Sequence, residues 1–200
     1  MKIIDVIEKE KIYGIIREDD EKKAIEIASA YIDGGIKVIE LNCPLNATKE
    51  ISSKYKDIII AQGGVITTQQ AHKALEMGAK IISSPIFQTN LVRFSSCYQA
   101  FLIASVATPN EAYSAWQSRI PLIKVYPAAE MGGVEYIREL VKPMPFLNLL
   151  PCGFVKIEEI IPYLKAGAKA VGIGRELYAK TSYDEIVETA RDVVEMVRQF

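Results

Sequence analysis

One junction recurs along this chain. Helical stretches end in glycine and run directly into short Ile/Val-rich segments: DGGIKVIEL at 33–41, MGAKIISSP at 77–85 and AGAKAVGIG at 166–174. Glycine suits the left-handed position just past a helix C-terminus. The β-branched run that follows suits a strand. These runs are apolar on both faces, as expected of parallel strands covered by helices. Eight such runs occur, near 11–17, 36–41, 57–62, 80–84, 101–106, 120–126, 146–151 and 169–173. Helical patterns separate them, near 20–33, 46–55, 67–77, 88–97, 108–117, 132–141 and 156–166, with a last one at 183–199. In the last, Ile186, Ala190, Val193, Val194 and Val197 form one apolar stripe. Residues 2–9 read as an extra helix before the first strand.

Eight strand-then-helix units predict a (β/α)8 TIM barrel with a short extra N-terminal helix, forming one domain over residues 1–200. It is smaller than the usual ~250 residues. The competing arrangement is an open doubly wound sheet. It would call for a Gly-x-Gly-x-x-Gly turn after the first strand, which this chain lacks. The net charge of −1 and pI near 6.0 give no electrostatic footprint for nucleic acid or an anionic membrane. No apolar run reaches the ~18–20 residues of a membrane span, and MKIIDVIEKEKIYG carries charges through its apolar stretch, unlike a signal peptide. Cys43, Cys97 and Cys152 are odd in number and scattered, which points to a reduced, cytoplasmic protein without a disulfide framework or zinc site. A single histidine, His72, is too little for a histidine-based metal cluster and is placed on the barrel's outside.

A barrel carries its active site at the C-terminal ends of its strands. The residues that fall there are Arg17; Glu40; Gln62, Gly63 and Gly64; Ser83, Ser84 and Pro85; Ser105; Lys124 and Tyr126; Pro151, Cys152 and Gly153; and Gly172, Gly174 and Arg175. Serine and glycine are expected wherever loops begin. Glu40 and Lys124 are different, because both sit inside apolar runs, KVIEL and IPLIKVY. A lysine is almost never fully buried without a partner. Desolvation in an apolar mouth disfavours a charged amine, and a neutral amine is what Schiff-base chemistry with a ketone needs. A nearby carboxylate can then shuttle protons. A structural ion pair between Glu40 and Lys124 accounts for the same pattern equally well.

Longer motifs separate these readings. KIYGIIR, GGIKVIEL, IISSPIF, ATPNEA and IPLIKVYPAAEMGGVEYIREL lie in that order along the chain. Together they resemble the 2-keto-3-deoxy-6-phosphogluconate / 4-hydroxy-2-oxoglutarate aldolase family over about residues 10–199. The resemblance implies a class I aldolase on a (β/α)8 barrel. Lys124 takes the Schiff-base position of Lys-x-Phe-Pro-Ala-Glu, with Tyr126 replacing the phenylalanine, and Glu40 takes the general acid/base position. Arg17 is the candidate for holding an anionic group. Gly63, Gly64, Ser84, Pro85, Tyr126, Cys152, Gly153, Gly172, Gly174 and Arg175 are implied substrate contacts. The resemblance further implies a small keto acid as substrate, no cofactor or metal, and a homotrimer.

The chain also departs from the family. Thr-Leu-Arg-Thr after the glutamate is LNCPLN here, without arginine and with Pro44. The threonine of Gly-Ala-Gly-Thr is Gly64, and the Pro-Gly of strand 5 is Ala104-Ser105. The phosphate turn Pro-Thr-Gly-Gly reads Pro151-Cys152-Gly153-Phe154, and the Gly-Ser of strand 8 reads Gly174-Arg175. The Schiff-base pair is kept while the substrate and phosphate contacts are altered. Gly172 and Gly174 would still offer backbone N–H groups at a helix start. Arg175 either adds a charge-assisted contact there or fills the pocket. A second reading follows from the departures: a barrel that binds a keto acid or sugar acid for sensing or regulation with weakened turnover. A third, a phosphate-binding isomerase or synthase using Lys124 as a cation, leaves the KVYPAAE match to chance.

Overall fold

Strand β1 (Ile12–Arg17) pairs in parallel with β2 (Val38–Asn42) on one side and β8 (Val171–Ile173) on the other. The pairing continues through β3 (Ile59–Gln62), β4 (Ile81–Ser84), β5 (Phe101–Val106), β6 (Leu122–Val125) and β7 (Leu149–Pro151). The Lys169 amide, two residues before β8, donates to the Leu149 carbonyl of β7 at 2.9 Å, so the ends of the sheet meet in a nearly closed ring. This is a computed structural model and describes residues 2–179 and 182–200. Among them, eight parallel strands alternate with helices as a (β/α)8 TIM barrel. Helix α1 (Ile3–Glu10) precedes it, and α2 (Glu21–Asp33), α3 (Leu45–Lys54), α4 (Thr68–Glu76), α5 (Thr89–Tyr98), α6 (Pro109–Gln117) and α7 (Gly133–Val141) follow their strands. A 3-10 turn (Ile157–Glu159) leads into α8 (Ile160–Lys165), and α9 (Arg175–Tyr178) and α10 (Tyr183–Arg198) complete the chain. No helix among the described residues is long and apolar enough to cross a membrane.

Capping residues fix where the helices start. The side chains of Asp20, Thr67, Thr108 and Ser182 accept from the amides of Lys23, Gln70, Glu111 and Glu185, satisfying N–H groups left open in a first turn. The recurring glycine junction ends them: Gly35 and Gly78 hold φ of 99° and 92°, where a Cβ would be strained. Some strands differ from the sequence pattern at their edges. β6 begins at Leu122 rather than Ile120, since Pro121 has no N–H for the ladder. β2 runs on to Asn42. The short α9 has no counterpart in the expected helices, because four residues are too few to show a period.

Strand side chains alternate between two cores. Ile12, Ile16, Ile39, Ile60, Ile82, Leu102, Ile123, Leu149 and Val171 face outward under the helices. Tyr13, Val38, Ile59, Ala61, Ile81, Ile103, Leu122, Leu150 and Cys152 face inward and fill the barrel. Helix α1 sends Ile3, Ile4, Val6 and Ile7 into this inner core, stopping the N-terminal end of the barrel. Burying each such side chain stabilises by about 1.5–3 kcal/mol. The apolar filling ends at the level of Glu40 and Lys124, and the C-terminal end is left open.

Candidate active site

Lys124 lies between Ile123 and Val125, both turned to the helices, so the two-residue period turns its side chain into the barrel. Glu40 lies likewise between Ile39 and Leu41. Their strands stand four places apart in a ring of eight, so the two side chains meet across its axis. Lys124 Nζ donates to Glu40 Oε2 at 2.5 Å and to Ser83 Oγ at 2.7 Å. Lys124 is 5% exposed and Glu40 3%. Two further donors hold the carboxylate: Tyr13 Oη to Oε2 at 2.9 Å, and Asn42 Nδ2 to Oε1 at 3.0 Å. The Tyr13 ring centre lies 5.5 Å from Nζ.

Burial alone would raise the Glu40 carboxyl. The charge and hydrogen bond of Lys124, with the donors of Ser83 and Asn42, outweigh it and hold the group below its ordinary value of 4.5. Burial and the negative charge of Glu40 push the Tyr13 phenol well above its ordinary 10.0, so it stays a donor at neutral pH. Burial likewise pushes the Cys152 thiol up to about 12, which fits an inert side chain packed against Gly172.

A cavity of about 710 Å³ opens above the pair. Lys124, Glu40, Arg17, Gly64, Pro85, Tyr126, Cys152, Gly153, Gly172, Gly174 and Arg175 all line it. Gly63 and Ser84 do not. Gly63 sits behind Asn42, and a Cβ on it would collide with the Asn42 amide. Ser84 turns away from the axis, and its carbonyl accepts from Ser105 Oγ at 2.8 Å. Its neighbour Ser83 faces inward instead. Asn42, Ser83 and Ser105 also line the cavity, and each lies an even number of strand positions from an inward residue. Counting by twos from Glu40 would have found Asn42. Phe154, Lys156, Glu176 and Tyr178 come from loops and α9 and carry no such signal.

The walls differ in charge. Arg17, Lys156 and Arg175 stand on the side formed by β1, β7 and β8. On the β2–β5 side the lining is Glu40, Asn42, Gly64, Ser83, Pro85 and Ser105, without a lysine or arginine among the described residues. Phe154 keeps a left-handed φ of 55° and is 73% exposed at the lip. Gly153 packs so closely that an added Cβ would come within 2.9 Å of the Tyr126 ring. Tyr178 ties α9 to β1 by donating its hydroxyl to the Arg17 carbonyl at 3.2 Å. Among the described residues, no three His, Cys, Asp or Glu side chains gather where they would hold a metal. His72 lies on the outer surface beside Glu76, with a 3.4 Å contact. Trp116 is 40% exposed and packs on Phe146.

Fold and site together define a (β/α)8-barrel protein with a buried lysine–carboxylate pair in its open mouth. The family model described as KDPG and KHG aldolase matches residues 3–190, and the chain belongs to this family of carbon–carbon lyases. It is 24% identical to the 2-dehydro-3-deoxy-phosphogluconate aldolase of Haemophilus influenzae, covering 98% of this chain and 97% of that one. It is 26% identical to the 2-dehydro-3-deoxy-6-phosphogalactonate aldolase of Escherichia coli, covering 94% and 95%. Among solved structures, the KDPG aldolase of Legionella pneumophila, with pyruvate captured as a covalent carbinolamine, superposes with a TM-score of 0.87. It is 24% identical, with 96% of this chain and 98% of that chain covered.

Proposed function

We propose that this chain is a class I aldolase that cleaves a 2-keto-3-deoxy sugar acid, or 4-hydroxy-2-oxoglutarate, to pyruvate and an aldehyde. The observation that carries the reading is the contact of Lys124 Nζ with Glu40 Oε2 at 2.5 Å, at the foot of the cavity. Glu40 takes a proton from the lysine, and the free amine attacks the C2 ketone to give a carbinolamine. Glu40 returns the proton as water leaves, and a protonated imine remains. Removal of the C4 hydroxyl proton by Glu40 sends the C3–C4 electron pair into the imine, so aldehyde and enamine separate. Protonation of the enamine at C3 and hydrolysis then release pyruvate and restore the amine. The imine serves as the electron sink, which leaves no step for a cofactor or metal. Arg17 and Arg175 are the groups we assign to the substrate's anionic end.

Reduction with borohydride in the presence of pyruvate tests this. We expect one irreversible modification, mapped to Lys124 by mass spectrometry and absent from Lys124→Ala. Labelling elsewhere, or none at saturating pyruvate, would overturn the reading. Family membership also supports a single-domain homotrimer in the cytoplasm, which light scattering and fractionation check. The second reading, a sensing or regulatory barrel, draws on the changes at Pro44, Gly64 and Phe154, and on a β2–β5 wall without lysine or arginine among the described residues. It is favoured if pyruvate is trapped at Lys124 while no sugar acid is cleaved.

A further inference from the structure

The contact that orders Glu40 at rest is altered once the proposed reaction begins. Imine formation ties Lys124 Nζ to a substrate carbon and leaves it one proton in place of three. Two donors hold the carboxylate independently of Nζ: Asn42 on Oε1 and Tyr13 on Oε2. Asn42 stands on the cavity wall. Tyr13 is wholly buried and rises from the stratum of Val38, Ile59, Ile81, Ile103, Leu122 and Leu150, all apolar. Its hydroxyl is aimed at the oxygen that faces the reacting nitrogen.

We propose that Tyr13 is a positioning residue: its hydroxyl holds Oε2 of Glu40 in place for proton transfer while Lys124 is tied up as the imine. The inference rests on the Schiff-base reading and deepens it. The groups facing Glu40 are Tyr13 from β1, Asn42 from its own strand, Ser83 from β4, Lys124 from β6 and Cys152 from just past β7. Cys152 is neutral at working pH, with its thiol pushed to about 12. Losing Tyr13 would therefore remove one of few polar contacts on the carboxylate.

Pyruvate alone in D2O reads this step without an aldehyde. Glu40 takes a proton from the methyl carbon of the pyruvate imine, the C–H pair forms the enamine double bond, and the imine nitrogen is neutralised. The carboxyl proton exchanges with D2O, and return of a deuteron from Glu40 to the enamine carbon reverses the step, so methyl hydrogens exchange, as followed by proton NMR. In Tyr13→Phe we expect saturated exchange to slow by about 10–100-fold, with the half-saturating pyruvate concentration little changed. The acid limb of exchange should move up by about one pH unit, the worth of one hydrogen bond to a charged group. Fluorotyrosine at position 13, a stronger donor of nearly the same shape, should move that limb down. Trapping at Lys124 with rate and limb both unmoved in Tyr13→Phe overturns the proposal, as does slower exchange with an unmoved limb. If Tyr13→Phe does not fold, an unmoved limb in the fluorotyrosine protein overturns it. Absence of trapping in the unsubstituted protein counts instead against the Schiff-base reading.

Discussion

Glu40 and Lys124 stand 84 residues apart in the chain, on opposite strands of the ring, and their side chains close to 2.5 Å across its axis. Each is almost fully buried, so each charge depends on the other for compensation.

Lys124→Met should therefore expose that dependence. Removing one partner of a buried pair costs about 3–5 kcal/mol. In the parent, Glu40 sits below its ordinary 4.5, so its contribution is present above pH 4.5 and lost as pH falls through the lower folded value. In the variant, burial dominates and raises the group, so stability is highest in acid and falls as pH rises past 4.5. Urea unfolding across the acid-to-neutral range checks this, and Glu40→Gln added to Lys124→Met should restore most of the loss at neutral pH. Parallel curves for parent and variant would contradict it.

Glu40→Gln alone should keep the fold and still allow some borohydride trapping at Lys124. Cleavage and methyl exchange should slow by roughly 10²–10⁴-fold, the usual worth of general acid–base catalysis. Turnover equal to the parent's would remove Glu40 from the mechanism.

Gly63→Ala should act through Asn42. The added methyl would overlap the Asn42 amide, the free end of a short side chain, which swings away and gives up its bond to Glu40. A small stability change, within about 1 kcal/mol, should accompany a loss of exchange rate close to that of Asn42→Ala. The double variant should lose no more than either single one. Additive losses would show that the two positions act separately.

The altered turn at the lip bears on substrate choice. Phe154 keeps a glycine-like φ of 55° and carries an exposed ring in the segment that the family resemblance equates with a phosphate turn. A non-phosphorylated keto acid should be cleaved at least as well as the 6-phosphorylated sugar acid, and Phe154→Gly should shift the ratio toward phosphate. The unsubstituted protein preferring phosphate by more than about a hundredfold in kcat/KM, some 2.7 kcal/mol, would contradict this. In that case Arg175→Ser should cut kcat/KM for the phosphorylated substrate by roughly 10–100-fold, as for one lost charge-assisted hydrogen bond.

Much of the architecture was legible because a parallel barrel writes itself locally. Each glycine junction marks a helix end, and each apolar run that follows marks a strand covered on both faces. Glu40 and Lys124 stood out because a charge inside such a run is a local anomaly. Tyr13 did not, because a tyrosine in an apolar run reads as core, and only the pairing of β1 with β2 brings its hydroxyl to a carboxylate 27 residues away. The family resemblance points to the Ser84-Pro85 segment, whereas the two-residue period counted from inward-facing Ile81 turns Ser83 to the axis. Helix α9 and its Tyr178 depend on a contact with Arg17 161 residues distant, which no short window can contain.

Helix α1, seated by Ile3, Ile4, Val6 and Ile7, turns the barrel into a blind alley. Anything joined to Lys124 sits at its closed end, with the departing fragment between it and the solvent. Under the proposed chemistry the two products then leave as a queue: the aldehyde first, the tethered pyruvate behind it. In the synthetic direction the order reverses, and an aldehyde that enters early stands in the doorway. Excess aldehyde should therefore inhibit synthesis competitively with pyruvate, a traffic rule imposed by a helix that touches neither molecule.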